Sequence, residues 1–133
     1  MVDGDGNQGQ GNHNQVLGNI NKLIGDHNIV KGEENKLQGN ELQVEGNKNL
    51  LIGDLLKIFG DSNAIEGQEV FVKGDNNRAK AEQSTIEGSG NRLIGKYVHI
   101  DGHENRVAGE ETTVEGNRNV AIGDRISVTG NYN

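Results

Sequence analysis

The segment DGDGNQG at residues 3–9 places Asp3, Asp5 and Asn7 at the spacing of the first three oxygen ligands of a calcium loop. Such a loop also needs glycine at its sixth position and a carboxylate at its twelfth, where this chain has Gln8 and Asn14. The match fails. His13 and His27 offer two imidazoles, but zinc needs at least a third protein ligand, so they read as surface residues. Cysteine is absent, which excludes disulfides and thiolate chemistry. No nucleophile elbow or phosphate loop leads from a strand into a helix, and serines and histidines are few. No catalytic, cofactor-binding or metal-binding residue is assigned, and the chain reads as a non-enzyme.

The polar residue that recurs at a fixed interval is asparagine, and its chemistry is hydrogen bonding. Glycine returns every seventh residue from Gly4 to Gly130, with Ala81 the one exception. The third residue after alternate glycines is always asparagine: Asn21, Asn35, Asn49, Asn63, Asn77, Asn91, Asn105 and Asn119, with Asn7 and Asn133 at the ends. A buried amide is costly unless bonded. Stacked at one corner, these amides can bond the turn backbone and one another, which predicts an internal asparagine ladder. In the intervening heptads the same position starts as Asn14 and Asn28 and then becomes Leu42, Leu56 and Val70, so a second ladder is expected to give way to apolar packing.

These positions require strands rather than helices. The third and fifth residues of a heptad cannot share a helix face, but they share one face of a strand. The fifth residue is aliphatic in nearly every heptad and always β-branched in the second kind, from Val16 to Val128. Each heptad is therefore a short strand plus a glycine corner, and two heptads make a coil of a parallel β-roll. The fold expected is all-β: a single β-solenoid domain over residues 1–133 with about nine coils, and roughly 45 Å long at the ordinary interstrand spacing. Residues 1–10 carry Gly6 and Gly9 with no aliphatic residue at the core position, and are expected to fray. Only 31% of residues are hydrophobic and the net charge is −7. That composition would suggest disorder were it not for the repeat. A single coil buries too little to fold alone, so stability must come from stacking.

The repeats GNHNQVLG, GDHNIVKG and GHENRVAG resemble the xxNxVxG repeat of the grass ice-recrystallisation-inhibition proteins, the ryegrass antifreeze type. The resemblance runs from Gly11 to Asn133. It implies a left-handed β-roll with internal asparagine ladders, no enzyme activity, no cofactor, an extracellular setting, and one flat outer face whose partner is an ice surface. A second likeness, NKLIG, NLLIG, NRLIG and NVAIG, is similar to the head repeats of trimeric autotransporter adhesins. It implies a structural or adhesive solenoid that self-associates.

The outward positions, fourth and sixth after each glycine, are where these readings separate. Hydroxyls fall at Thr85, Thr113, Ser127 and Thr129, the candidate ice-facing set, with charged neighbours between them. Ile24, Ile52, Ile94 and Ile122 recur in one outward column and, with Phe59 and Phe71, form a candidate interface for a homo-oligomer or other partner. Arg78, Arg92 and Arg106 stack on consecutive coils, a ridge that a polyanion could follow, although Glu66 and Glu104 nearby favour a solvated, salt-bridged surface. The acidic balance argues against general affinity for nucleic acid or anionic membrane. The N-terminus MVDGDGNQGQG has neither the basic start nor the apolar stretch of a signal peptide.

Overall fold

The computed structural model describes residues 1–133, the side chain of Val2 excepted. Short strands come first: β1 (Val2–Asp3), β2 (Gln8–Gln10), β3 (Gln15–Leu17), β4 (Lys22–Ile24), β5 (Ile29–Lys31), β6 (Lys36–Gln38), β7 (Leu42–Glu45), β8 (Leu50–Ile52) and β9 (Leu55–Phe59). Five ten-residue strands follow: β10 (Ala64–Lys73), β11 (Arg78–Glu87), β12 (Arg92–Asp101), β13 (Arg106–Glu115) and β14 (Val120–Thr129). Every pairing is parallel and joins residues one coil apart, as in Val16↔Val30, Ile65↔Ala79 and Val98↔Thr112. The result is a parallel β-solenoid of about nine turns without helix. No helix among the described residues is long and apolar enough to cross a membrane.

Two faces enclose the core. The first is built from β2, β4, β6, β8 and the leading halves of β10–β14; the second from β1, β3, β5, β7, β9 and the trailing halves. Val30, Val44, Leu51, Ile58, Val72, Ile86 and Ile100 are completely enclosed, and side chains alternate between buried and exposed across both faces from β3 to β13, while the inward positions of the last coil, in β14, are partly open. That alternation is the physical content of the heptad.

The corner that joins the second face to the first, marked by Gly4, Gly18 and their successors, interrupts the sheet ladder, and side chains complete it. The backbone N–H of Asn21 donates to Asn35 Oδ1 at 2.8 Å, and the same bond links Asn35 to Asn49, Asn49 to Asn63, and onward to Asn133. From Asn49 onward the amide nitrogen donates back to the glycine carbonyl of the preceding coil, as in Asn91 Nδ2 to Gly74 O at 3.0 Å. The amides thus serve mainly the backbone, because a corner N–H pointing along the roll axis has lost the carbonyl that a strand would offer it. A second, outer rail does the same for the residue after the glycine. Asp61 Oδ1 accepts the Asp75 N–H, and Asp75 Oδ1 accepts the Ser89 N–H, each at 2.7 Å.

Glycine is required at this corner for two reasons. Gly32 has φ of 147°, and a Cβ there would lie 2.0 Å from Gly18 O. Backbone of neighbouring coils passes too closely for any side chain.

The other corner changes along the roll. Asn14 and Asn28 bond in the same way at its start, with the Asn14 N–H donating to Asn28 Oδ1. Where Leu42 replaces asparagine, strand structure begins to extend into the corner, and from β10 it runs through without a break. Parallel pairing such as Glu110↔Lys96 then satisfies the backbone unaided, which is why an apolar side chain can occupy the position an amide held. Gly53, Gly67, Gly95 and Gly109 lack the positive φ of the earlier corners, and Ala81 sits among them with its methyl buried in the core. In the first coil, β1 and β2 pair in register with β3 and β4, and Leu23 Cδ1 occupies the space a Cβ at Gly9 would need.

Candidate functional site

The roll presents two flat faces, each of two outward columns at the strand repeat of ~4.8 Å. On the second face Phe71, Thr85, His99, Thr113 and Ser127 follow one another in direct register. The structure therefore brings three of the four hydroxyl residues into one column, with His99 between Thr85 and Thr113. Thr129 stands in the adjacent column opposite Glu115. Glu87, Asp101 and Glu115 occupy that adjacent column alongside the hydroxyls.

The same face holds Phe59 and Phe71, whose ring centroids lie 6.1 Å apart at an interplanar angle of 59°. Lys57 sits 5.3 Å from the centre of the Phe59 ring. Phe71 and Thr85, with Leu55, Tyr97 and His99, line a shallow open concavity of about 620 Å³ beside the second corner. A flat, open surface suits adsorption more than it suits enclosure of a small molecule.

The first face holds Ile24, Ile52, Ile94 and Ile122 in one column. Ile24 and Ile52 are each 39% exposed, Ile94 52% and Ile122 67%. Gln38 separates the first two, and the Glu66–Lys80 ion pair, at 3.2 Å, separates Ile52 from Ile94. Ile24 and Ile52 therefore stand apart, and the one continuous apolar stretch of the column is Ile94, Ala108 and Ile122, with the neighbouring Val120. Beside it run Arg78, Arg92 and Arg106 in direct register.

Charge is divided between the surfaces more sharply than the sequence reading anticipated. The first face carries six cations, Lys22, Lys36, Arg78, Lys80, Arg92 and Arg106, against the single carboxylate Glu66. The second corner carries eight carboxylates, the first at Asp26 and the last at Asp124, against Lys96 and Arg125. The signal was available in the residue columns, but it becomes visible only when the outward positions are separated by face. Most other charged neighbours pair across one coil, as in Lys31–Glu45 at 2.7 Å and Lys73–Glu87 at 3.0 Å.

At the second corner the His13 and His27 rings stack with centroids 4.8 Å apart, and His27 Nε2 lies 2.9 Å from Glu41 Oε2. Asp5, from the segment with calcium-loop spacing, accepts the Asn19 backbone N–H through Oδ1, as part of the outer rail. Among the described residues no group of three or more potential metal ligands converges.

A family model described as the grass antifreeze beta roll matches residues 1–88. No curated protein and no solved structure matches the chain. The matched segment covers about two thirds of the sequence and includes both the paired-asparagine corners and the change at Leu42. The register of one coil on the next continues unaltered beyond it to β14. The chain belongs to the grass antifreeze beta roll family.

Proposed function

We propose that the chain acts by adsorbing to ice and restraining recrystallisation, without enzymatic activity, and that the second face is the adsorbing surface. Family membership is the observation that carries this reading, and it also favours an extracellular setting. The choice of face rests on the hydroxyls. Both faces carry charge, but only the second carries Thr85, Thr113 and Ser127 in one column at a rigid one-coil repeat. Thr129 extends the array at its end. Coarsening of ice grains, followed with the purified chain beside an inert protein at equal concentration, tests the reading. Equal coarsening would sink it.

A second reading, self-association through the first face, has the exposure of Ile94 and Ile122 in its favour. Pairing that face with itself would set its cations against their own copies. Association by this route is therefore expected to strengthen as salt rises. Sedimentation at low and high ionic strength checks it, and a monomer under both conditions removes this reading.

A further inference from the structure

The column Arg78, Arg92, Arg106 gathers one sign of charge, as the column Glu87, Asp101, Glu115 does on the opposite face, where Glu87 is paired with Lys73 at 3.0 Å. Like charges directly opposite on neighbouring strands are destabilising, and several other charged neighbours form ion pairs from coil to coil. In the arginine column three guanidinium groups stand in direct register on consecutive coils. The carboxylates that could neutralise them are engaged otherwise: Glu66 pairs with Lys80 at 3.2 Å, and Glu104 pairs with Arg118 at 3.4 Å. Among the described residues no carboxylate lies within ion-pair distance of Arg78, Arg92 or Arg106. Together with the Glu104–Arg118 pair and the corner residues Asn76 and Asn77 they line an open trough of about 570 Å³. This concentration of positive charge belongs to a protein whose net charge is −7.

We propose that this trough binds a linear acidic polysaccharide, a polyuronate chain lying along the roll axis with the carboxylates of its protein-facing side on the guanidinium groups. A guanidinium fork accepts a carboxylate through two parallel hydrogen bonds. The guanidinium groups repeat at the strand spacing of ~4.8 Å, so an extended, regularly charged chain can meet more than one of them at once. Nucleic acid fits less well. The first face has no aromatic ring on which bases could stack, because Phe59, Phe71, Tyr97 and Tyr132 all lie elsewhere. The acidic corners on either side of the face would repel the broad charge of a duplex, while a single narrow chain can run between them.

The proposal is independent of the ice-binding reading, since it concerns the opposite face. Its test is the titration of the full chain with a galacturonate hexasaccharide at low salt, beside a neutral glucan of equal length and an oligodeoxynucleotide of equal charge. Binding of the uronate alone, weakened by salt, is expected. The triple variant Arg78→Gln, Arg92→Gln, Arg106→Gln should lose affinity by about tenfold or more, and the triple lysine variant should fall between it and the parent. The control Lys31→Gln, Lys73→Gln removes two cations from the second face and should bind as the parent does. Circular dichroism verifies that every variant keeps the roll. Equal binding by the triple glutamine variant, absence of binding at low salt, or an equally tight oligodeoxynucleotide would each overturn the proposal.

Discussion

Asn77 Oδ1 accepts two hydrogen bonds from Asn63, one from its backbone N–H at 2.8 Å and one from its amide Nδ2 at 3.1 Å. Asn63 in turn offers its own Oδ1 to the Asn49 N–H and its Nδ2 to Gly46 O. One buried side chain thus closes the backbone of two coils. Asn63→Ala would leave the Asn49 N–H and the Gly46 carbonyl unpartnered in the interior. The expected loss is about 2 to 4 kcal/mol, read as a lower denaturant midpoint. At Asn7 the amide meets an exposed Gly4 carbonyl instead, and the same exchange should cost much less.

Four buried polar atoms do not share this economy: the amide nitrogens of Asn21 and Asn35 in the ladder, and two hydroxyls. Ser84 Oγ and Thr112 Oγ1 are buried without a hydrogen-bond partner, in the column that otherwise holds Leu42, Leu56, Val70 and Val98. Continuous pairing already satisfies the backbone there. Thr112→Val keeps the shape and removes the unpaired hydroxyl, so it should stabilise the roll by about 1 kcal/mol. A denaturant midpoint equal to or below that of the parent would contradict it.

Ala81 and Gly95 face each other on adjacent coils, yet they should respond in opposite ways to the same methyl group. At Ala81 the methyl is buried in the core, and Ala81→Gly should cost about 1 kcal/mol through lost packing and added chain entropy. At Gly95 an added Cβ would sit 1.7 Å from Ala81 O. The backbone cannot yield that far without parting the coils, so Gly95→Ala is expected to prevent cooperative folding. Thermal melts of the two variants side by side check the contrast.

Ile20 adopts φ of 59° at the first corner, a conformation that a β-branched side chain resists, and it is 63% exposed. Asparagine holds the equivalent position at Asn76 with φ of 58°. Ile20→Asn should therefore stabilise the chain by roughly 1 kcal/mol. A lower melting temperature would show that Ile20 earns its place by a contact rather than in spite of its backbone.

The alternation of inward and outward residues was legible because Val30, Val44, Ile58 and Val72 obey a strict period, and a period of two inside a heptad admits only strands. The partners of the amides were less legible. Asn49 can be seen to need hydrogen bonds, but whether it serves another amide or the backbone depends on how Gly32 turns. The outer rail through Asp61 and Asp75 left a faint trace, the recurrence of asparagine and aspartate after glycine, which equally suits a turn with no rail at all. Strand β10 runs through the corner that Gly67 marks in the sequence, because losing an inward asparagine alters the bend while leaving the heptad intact. Function was the least legible. Thr85 and Thr113 acquire meaning only beside His99 and the acidic column, and a repeat fixes a surface's spacing without fixing its chemistry.

The two faces give a direct test of which one meets ice. Thr113 lies between His99 and Ser127 on the second face and is exposed, and Ile94 holds the corresponding outward exposure on the first. A lysine at either site projects a hydrated charge above a flat surface without entering the core, so neither should change the melting temperature by more than a degree or so. If the second face adsorbs to ice, Thr113→Lys should weaken recrystallisation inhibition by about tenfold in the concentration required, while Ile94→Lys should leave it unaltered. The reverse result would move the adsorbing surface to the first face. Equal loss from both substitutions would mean that neither face acts alone, because a single charge cannot reach across the buried core.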